Sequence, residues 1–200
     1  MILSGIFENK MTGFYVDVGA HHPKRFSNTF FFYRRGWRGI NIDAMPGSME
    51  AFKRSRSRDI NIEQPISDKN EFLTYYAFNE PALNGFSKSI SNERDGQGGY
   101  KIIFTKDLQT NTLDEVLAKN LPDDVEKIDF LSIDVEGFDF RVLKSINLDV
   151  HKPEVILVEM LKSGLTDLND SEITKYLGGF GYSIYSKAVN TVFFRRTCHS

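Results

Sequence analysis

Phe14-Tyr15-Val16-Asp17-Val18-Gly19-Ala20 is the stretch on which the fold turns. It is a short apolar run, rich in aromatic and β-branched residues, broken by one acid and stopped by a glycine. A run of that length closed by a breaker reads as a strand buried on both faces, the habit of parallel sheets. Comparable runs follow at Gly39-Ile40-Asn41-Ile42-Asp43, at Asp59 to Glu63, at Ile128 to Ile133, and at Val155-Ile156-Leu157-Val158.

Amphipathic segments separate these runs. Ser27 and Asn28 are candidate helix N-caps before an aromatic segment from Phe30 to Tyr33, which ends at Gly36. Met45-Pro46-Gly47 turns the chain into a short helix through Met49 and Phe52. Thr112-Leu113-Asp114-Glu115 has the spacing of a capping box, followed by Val116, Leu117 and Leu121 on the face of Leu113. Phe138, Val142, Leu143 and Ile146 are spaced for another helix, and Ile173, Tyr176 and Leu177 for a last one. Two strands near 181–186 and 191–195 close the chain as a hairpin. Alternation of this kind predicts an α/β fold with right-handed crossovers and one antiparallel strand in a mostly parallel sheet.

The middle of the chain departs from the pattern. Phe72 to Phe78 and residues 100–110 look like strands, and Pro81 to Gly99 is rich in Ser, Asn and Gly. That composition predicts a mobile loop, with Asn84 to Gly99 as a lid over an acceptor. Tyr75, Tyr76, Phe78 and Phe86 read mainly as sheet core, with stacking on a sugar face as the alternative.

Composition limits the function classes. The 200 residues, 40% of them hydrophobic, suit a single domain over 1–200, whole or cut from a longer protein. A net charge of -2 gives no overall reason to expect a nucleic-acid partner. Lys53, Arg54, Arg56 and Arg58 read as a solvated helix end. The single cysteine, Cys198, permits neither a disulfide framework nor a Cys-based zinc site, which suits a reducing, cytoplasmic setting. No secretory signal is visible, and no apolar stretch approaches the roughly 18 residues needed to span a bilayer. The expectation is a soluble domain without membrane insertion.

Ligands of open α/β sheets bind beyond the carboxyl ends of the strands, where the strand order reverses. Polar residues fall at almost every such end: Asp17 and Gly19, Asp43, Ser67 and Asp68, Asp134 and Glu136, and Glu159. Any one alone reads equally well as a helix cap or a solvated residue. Gly19 permits close backbone approach to a ligand, and Asp43 has the position of an acid that accepts from ribose hydroxyls. The loop lacks the further glycines of a pyrophosphate site, and no Gly-Lys-Ser/Thr occurs. A phosphate-free nucleoside with a cationic group, such as S-adenosylmethionine, fits better than a nicotinamide dinucleotide.

These residues resemble the FkbM-type family of S-adenosylmethionine-dependent methyltransferases. The resemblance is carried by Tyr15 to Pro23, Ser27-Asn28-Thr29, Gly36 to Asp43, Pro65-Ile66-Ser67-Asp68, Ile133-Asp134-Val135-Glu136-Gly137-Phe138-Asp139 and Asn190 to Phe194. It implies a class I, Rossmann-like methyltransferase fold: a seven-stranded sheet with a terminal antiparallel strand and helices on both faces. It implies O-methylation of a small-molecule or glycan acceptor. Asp17, Gly19 and Ala20 would hold the methionine end, with Ser27 and Asn28 nearby. Asp43 would hold the ribose, flanked by Ala44 and Met45, and Ser67 and Asp68 would lie by the adenine. Against the family pattern, the helix that precedes the first strand in many methyltransferases is missing.

Asp134 and Glu136 are the candidate proton acceptors for an acceptor hydroxyl, and His21 or His22 the alternative. Asp134, Glu136 and Glu159 also offer hard oxygen ligands to a divalent cation, Mg²⁺ or Mn²⁺. The competing readings are a noncatalytic nucleoside-binding module and a nicotinamide-dependent oxidoreductase.

Overall fold

The computed structural model describes residues 2–161, 164 and 166–197, so Cys198 lies outside the described residues. The sheet uses β1 (Phe14–Val18), β2 (Arg38–Asp43), β3 (Ile60–Glu63), β6 (Phe130–Ile133), β7 (Val155–Glu159), β8 (Tyr182–Ala188) and β9 (Thr191–Arg196). These seven strands lie in the order β3-β2-β1-β6-β7-β9-β8. Neighbours from β3 through β7 pair in parallel. Only β9 runs against the rest, inserted between β7 and β8. The order reverses between β1 and β6, where Asp17 lies opposite Ser132.

The central strands are buried on both faces, as their mostly apolar runs require. Val16, Val18, Ile40, Ile42, Leu131 and Ile133 share one core with Leu113, Val116 and Leu117 of α5 (Leu113–Asn120). Val142 and Leu143 of α6 (Asp139–Lys144) and Leu177 of the last helix (Glu172–Gly179) complete that core. Alternate residues, Tyr15, Phe130, Val155 and Leu157, point to the other side, against Phe32 of α2 (Phe30–Arg34) and Trp37. Each such side chain contributes about 1.5–3 kcal/mol by leaving water. The capping box forms: Thr112 accepts from the Glu115 amide, and the Glu115 carboxylate accepts from the Thr112 amide.

Four expectations are corrected. First, a short helix, α1 (Ile2–Ile6), does precede β1, and it places Leu3 and the following Phe7 in the aromatic core. Second, β4 (Phe72–Phe78) and β5 (Ile102–Gln109) do not join the sheet; they pair with each other as an antiparallel ribbon. Tyr75, Ala77 and Phe78 are buried, whereas Phe72, Ile103 and Phe104 are exposed. Third, the stretch from Pro81 to Gly99 holds a 3-10 turn (Pro81–Leu83) and a helix, α4 (Lys88–Arg94), capped by the Ser87 hydroxyl. Its sequence conceals this because Ile90 is its one apolar residue.

The fourth correction concerns Arg56, which follows α3 (Met49–Ser55) and is fully buried rather than solvated. Its Nε donates to Asp59 at 2.8 Å, Nη1 to the Pro23 carbonyl at 2.9 Å, and Nη2 to the Tyr15 hydroxyl at 2.7 Å. The charge is paired inside the fold, because Asp59 is also fully buried there.

Candidate active site

A cavity of about 350 Å³ opens at the β1/β6 reversal, beyond the carboxyl ends of the parallel strands. Asp17, Gly19, Ala20, Ser27, Asn28, Asp43, Ala44 and Met45 all line it. Asp134, Glu136 and His22 line it too. Ser67 and Asp68 do not. After β3 the chain crosses to a bridge between Ile66 and Asn111, and this turns Ser67 into the interior. Asp68 meanwhile pairs with Arg141 of α6. Gln64 and Ile66 line the cavity in their place.

Backbone geometry explains why Gly19 is a glycine. Its φ is +82°, and a Cβ there would collide with the carbonyl oxygen of Asp134 on the adjoining strand end. The close approach lets the amides of Gly19 and Ala20 both donate to the Ile42 carbonyl, at 2.9 and 3.1 Å. Asp43 is fixed by amides as well: it accepts from His21 at 2.8 Å and from Met45 at 2.8 Å. Each carboxylate oxygen retains a further lone pair for a ligand hydroxyl. Burial pushes the Asp43 pKa up, and those two amides oppose the shift.

Asp17 is buried in the cavity floor. It accepts from the Thr29 hydroxyl at 3.0 Å, and Thr29 in turn accepts from Arg56 at 3.0 Å. Burial pushes Asp17 up to about 6, held back by Thr29 and Arg56. Ser27 accepts from the amides of Thr29 and Phe30, and Asn28 donates to Ser132. The pair therefore shapes the loop before α2 rather than capping the helix directly.

The turn after β6 is strained and held in place. Glu136 (φ +53°) and Gly137 (φ +91°) are both left-handed, and the Asp139 carboxylate accepts from the Val135 and Gly137 amides at 3.1 and 3.0 Å. Helix α4 leans on this turn: Ile90 fills the space where a Gly137 side chain would go. Arg94 pairs with Glu136 at 2.7 Å. Asp134 is open to solvent through the cavity mouth but crowded by protein elsewhere. Burial, then the charges of Asp139, Glu136 and Asp17, push it up to about 7. Glu159 stands at the end of β7, outside this cavity. Its side-chain oxygen, with those of Asp134 and Glu136, nevertheless lies in a group whose members are all within 4.8 Å of one another.

His22 faces inward but is partly committed. Its Nδ1 accepts from the amides of Lys24 and Arg25, at 3.1 and 3.0 Å, which leaves Nε2 free to act. Burial and the cations of Arg25 and Lys24 lower its pKa, favouring the neutral ring. The cavity wall also includes Tyr75 and Phe86, tilted against each other with ring centroids 5.2 Å apart, with Phe138 a further 5.8 Å from Phe86. Reading the sequence finds these aromatics but not their placement, because nothing local says that β4 leaves the sheet. Among the described residues, no Lys or Arg lines the cavity.

A family model described as "Methyltransferase FkbM domain" matches residues 17–184. No curated protein and no solved structure matches the chain. Among the described residues, no helix is long and apolar enough to cross a membrane.

Proposed function

This chain belongs to the FkbM methyltransferase family, and on that premise we propose that it is an S-adenosylmethionine-dependent O-methyltransferase acting on a hydroxyl of a sugar, glycan or related small molecule. The observation that carries the reading is the cavity at the sheet's reversal. Three acids at the strand ends, Asp17, Asp43 and Asp134, line it, and among the described residues no Lys or Arg lines it with them. A pyrophosphate would need cations or a run of amides there. A sulfonium compound with an amino group suits an acidic lining instead. We take the strand order, with β9 inserted against its neighbours, as the class I methyltransferase arrangement.

The Asp17 and Gly19-Ala20 region would hold the methionine end, supported by the loop that Ser27 and Asn28 shape. Asp43 would accept from the ribose, with Ala44 and Met45 beside it, and Gln64 and Ile66 would border the base. The cofactor supplies a methyl group already activated on a sulfonium. What remains for the protein is to align an acceptor oxygen and to take its proton. Asp134 takes the proton in our reading, since Glu136 is held in an ion pair by Arg94. His22 has its Nδ1 engaged with backbone.

Two results follow. Replacing Asp43 with alanine removes a charged hydrogen-bond acceptor, so calorimetry should show S-adenosylmethionine affinity reduced by about tenfold or more. Unchanged affinity would refute the ribose role. A base must be ionised to act, and the Asp134 pKa is raised to about 7. The rate should therefore climb with pH through about 7 and then level off. Asp134→Asn should abolish that limb and cost roughly 10²–10⁴-fold in kcat. A variant that keeps the wild-type profile would exclude Asp134 as the base.

The Asp134, Glu136 and Glu159 cluster favours a second reading, in which a divalent cation lowers the acceptor hydroxyl's pKa. Turnover that survives chelation would exclude it. Binding without transfer to any acceptor would mark a nucleoside-binding module, and selective NAD binding an oxidoreductase.

A further inference from the structure

We propose that the acceptor docks at the mouth of the cavity, with a pyranose ring laid on Phe26 and one hydroxyl turned inward to Asp134. The proposal rests on the methyltransferase reading of that cavity. It adds the acceptor subsite, the substrate class and the residue that selects it.

One side of the cavity is shut by the segment that follows β4. Gly85 exchanges both backbone hydrogen bonds with Tyr76, at 2.9 and 3.2 Å, so Pro81, Ala82, Asn84 and Phe86 form a wall fixed to that strand. The wall abuts the turn after β6, where a Cβ on Gly85 would lie 3.3 Å from the Cβ of Glu136. Phe26 lines the same cavity from the loop after β1 and is 82% exposed, so it marks where the cavity meets solvent. Its loop adjoins the end of β6. Asn28, two residues on, donates to Ser132, two residues before Asp134. Asp134 is also open to solvent through that mouth. A hydroxyl entering past Phe26 therefore shares one space with the base and the cofactor.

The conformation of Phe26 costs stability, and the loop imposes it. Its φ of +57° is left-handed, a region that bulky side chains seldom adopt. The exposed ring offsets little of that cost by leaving water. On one side the His22 Nδ1 accepts from the Lys24 and Arg25 amides. On the other the Ser27 hydroxyl accepts from the Thr29 and Phe30 amides. Strain held in place by its surroundings is a habit of ligand clamps. The Arg25 guanidinium, 5.6 Å from the ring centroid, steadies the ring.

The lining beside Phe26 points to the kind of ring. An aromatic face is electron-rich and suits the slightly positive C–H bonds of an apolar sugar face. His22, Ser27 and Asn28 stand next to it on the cavity wall, polar groups for hydroxyls around the ring edge. A pyranose carries both features, whereas an acyclic polyol has the hydroxyls without the face.

The test is ligand-observed NMR on the protein loaded with S-adenosylhomocysteine, which prevents turnover. The methyl β-pyranosides of glucose, galactose and xylose are compared with glucitol, galactitol and xylitol. At least one pyranoside should bind about tenfold or more tighter than its alditol. Phe26→Ala should weaken that pyranoside by about tenfold or more, and Phe26→Tyr should restore it. Calorimetric affinity for S-adenosylmethionine should match the wild type in both variants. Phe26→Gly should lose the pyranoside as well, yet its urea midpoint should be no lower than the wild type's, because glycine relieves the left-handed backbone. A lower midpoint would assign the ring to the fold and overturn the proposal. No preference for any pyranoside, indifference to Phe26→Ala, or an equal loss of S-adenosylmethionine affinity overturns the acceptor subsite and leaves the cofactor reading standing. Failure of the wild type to bind S-adenosylmethionine overturns both.

Discussion

Arg56→Ala should destabilise the protein by about 3–5 kcal/mol, the cost of breaking a buried ion pair by removing one partner. The magnitude follows from what the substitution leaves behind. Asp59 would remain fully buried, with the Tyr15 hydroxyl, the Gly39 amide and the Asn41 side chain as donors but no counter-charge. The Pro23 carbonyl and the Thr29 hydroxyl would each lose a partner. Arg56→Lys should recover only part of the loss, because an ammonium cannot span Asp59, Pro23 and Tyr15 in one plane. Urea unfolding measures both variants. A shift below about 1 kcal/mol for alanine would mean the network contributes little. Because Thr29 joins Arg56 to Asp17, cofactor affinity should also fall where the variant is still folded.

Gly19→Ala should remove S-adenosylmethionine binding, by roughly 100-fold or more, through misplacement of the loop rather than loss of a contact. The added methyl group meets the Asp134 carbonyl oxygen, so β1 and β6 must part where the ligand is to lie. A left-handed non-glycine residue adds about 1–3 kcal/mol of strain. Gly36→Ala separates the two effects. Gly36 has a similar φ, +94°, yet nothing stands where its Cβ would go. That variant should lose stability but keep its affinity. Equal loss of binding in both variants would show that strain alone, not the collision, is responsible.

Much of the site was readable because parallel strands bring their carboxyl ends to one edge. Asp43 and Asp134 each close an apolar run and Asp17 lies one residue inside the end of another, and that alone assembles them. The same reasoning missed Gln64 and Ile66, since where an extended segment turns after its strand depends on the Ile66–Asn111 bridge. Arg56 was unreadable for a related cause. Its neighbours Lys53, Arg54 and Arg58 are exposed, and Tyr15, Pro23 and Thr29 reach it only through the fold. Helix α4 has one apolar residue, Ile90, and its anchor is the gap at Gly137 on another element. Local pattern found elements that satisfy themselves and overlooked those completed by a distant partner.

The position of β9 sets the order in which the protein can be finished. It pairs with β7 from Val155–Arg195 to Glu159–Thr191, and β8, though made earlier, reaches the sheet only through it. On the ribosome, β7 therefore waits with a bare edge until Thr191–Arg196 has emerged, a template for mispairing.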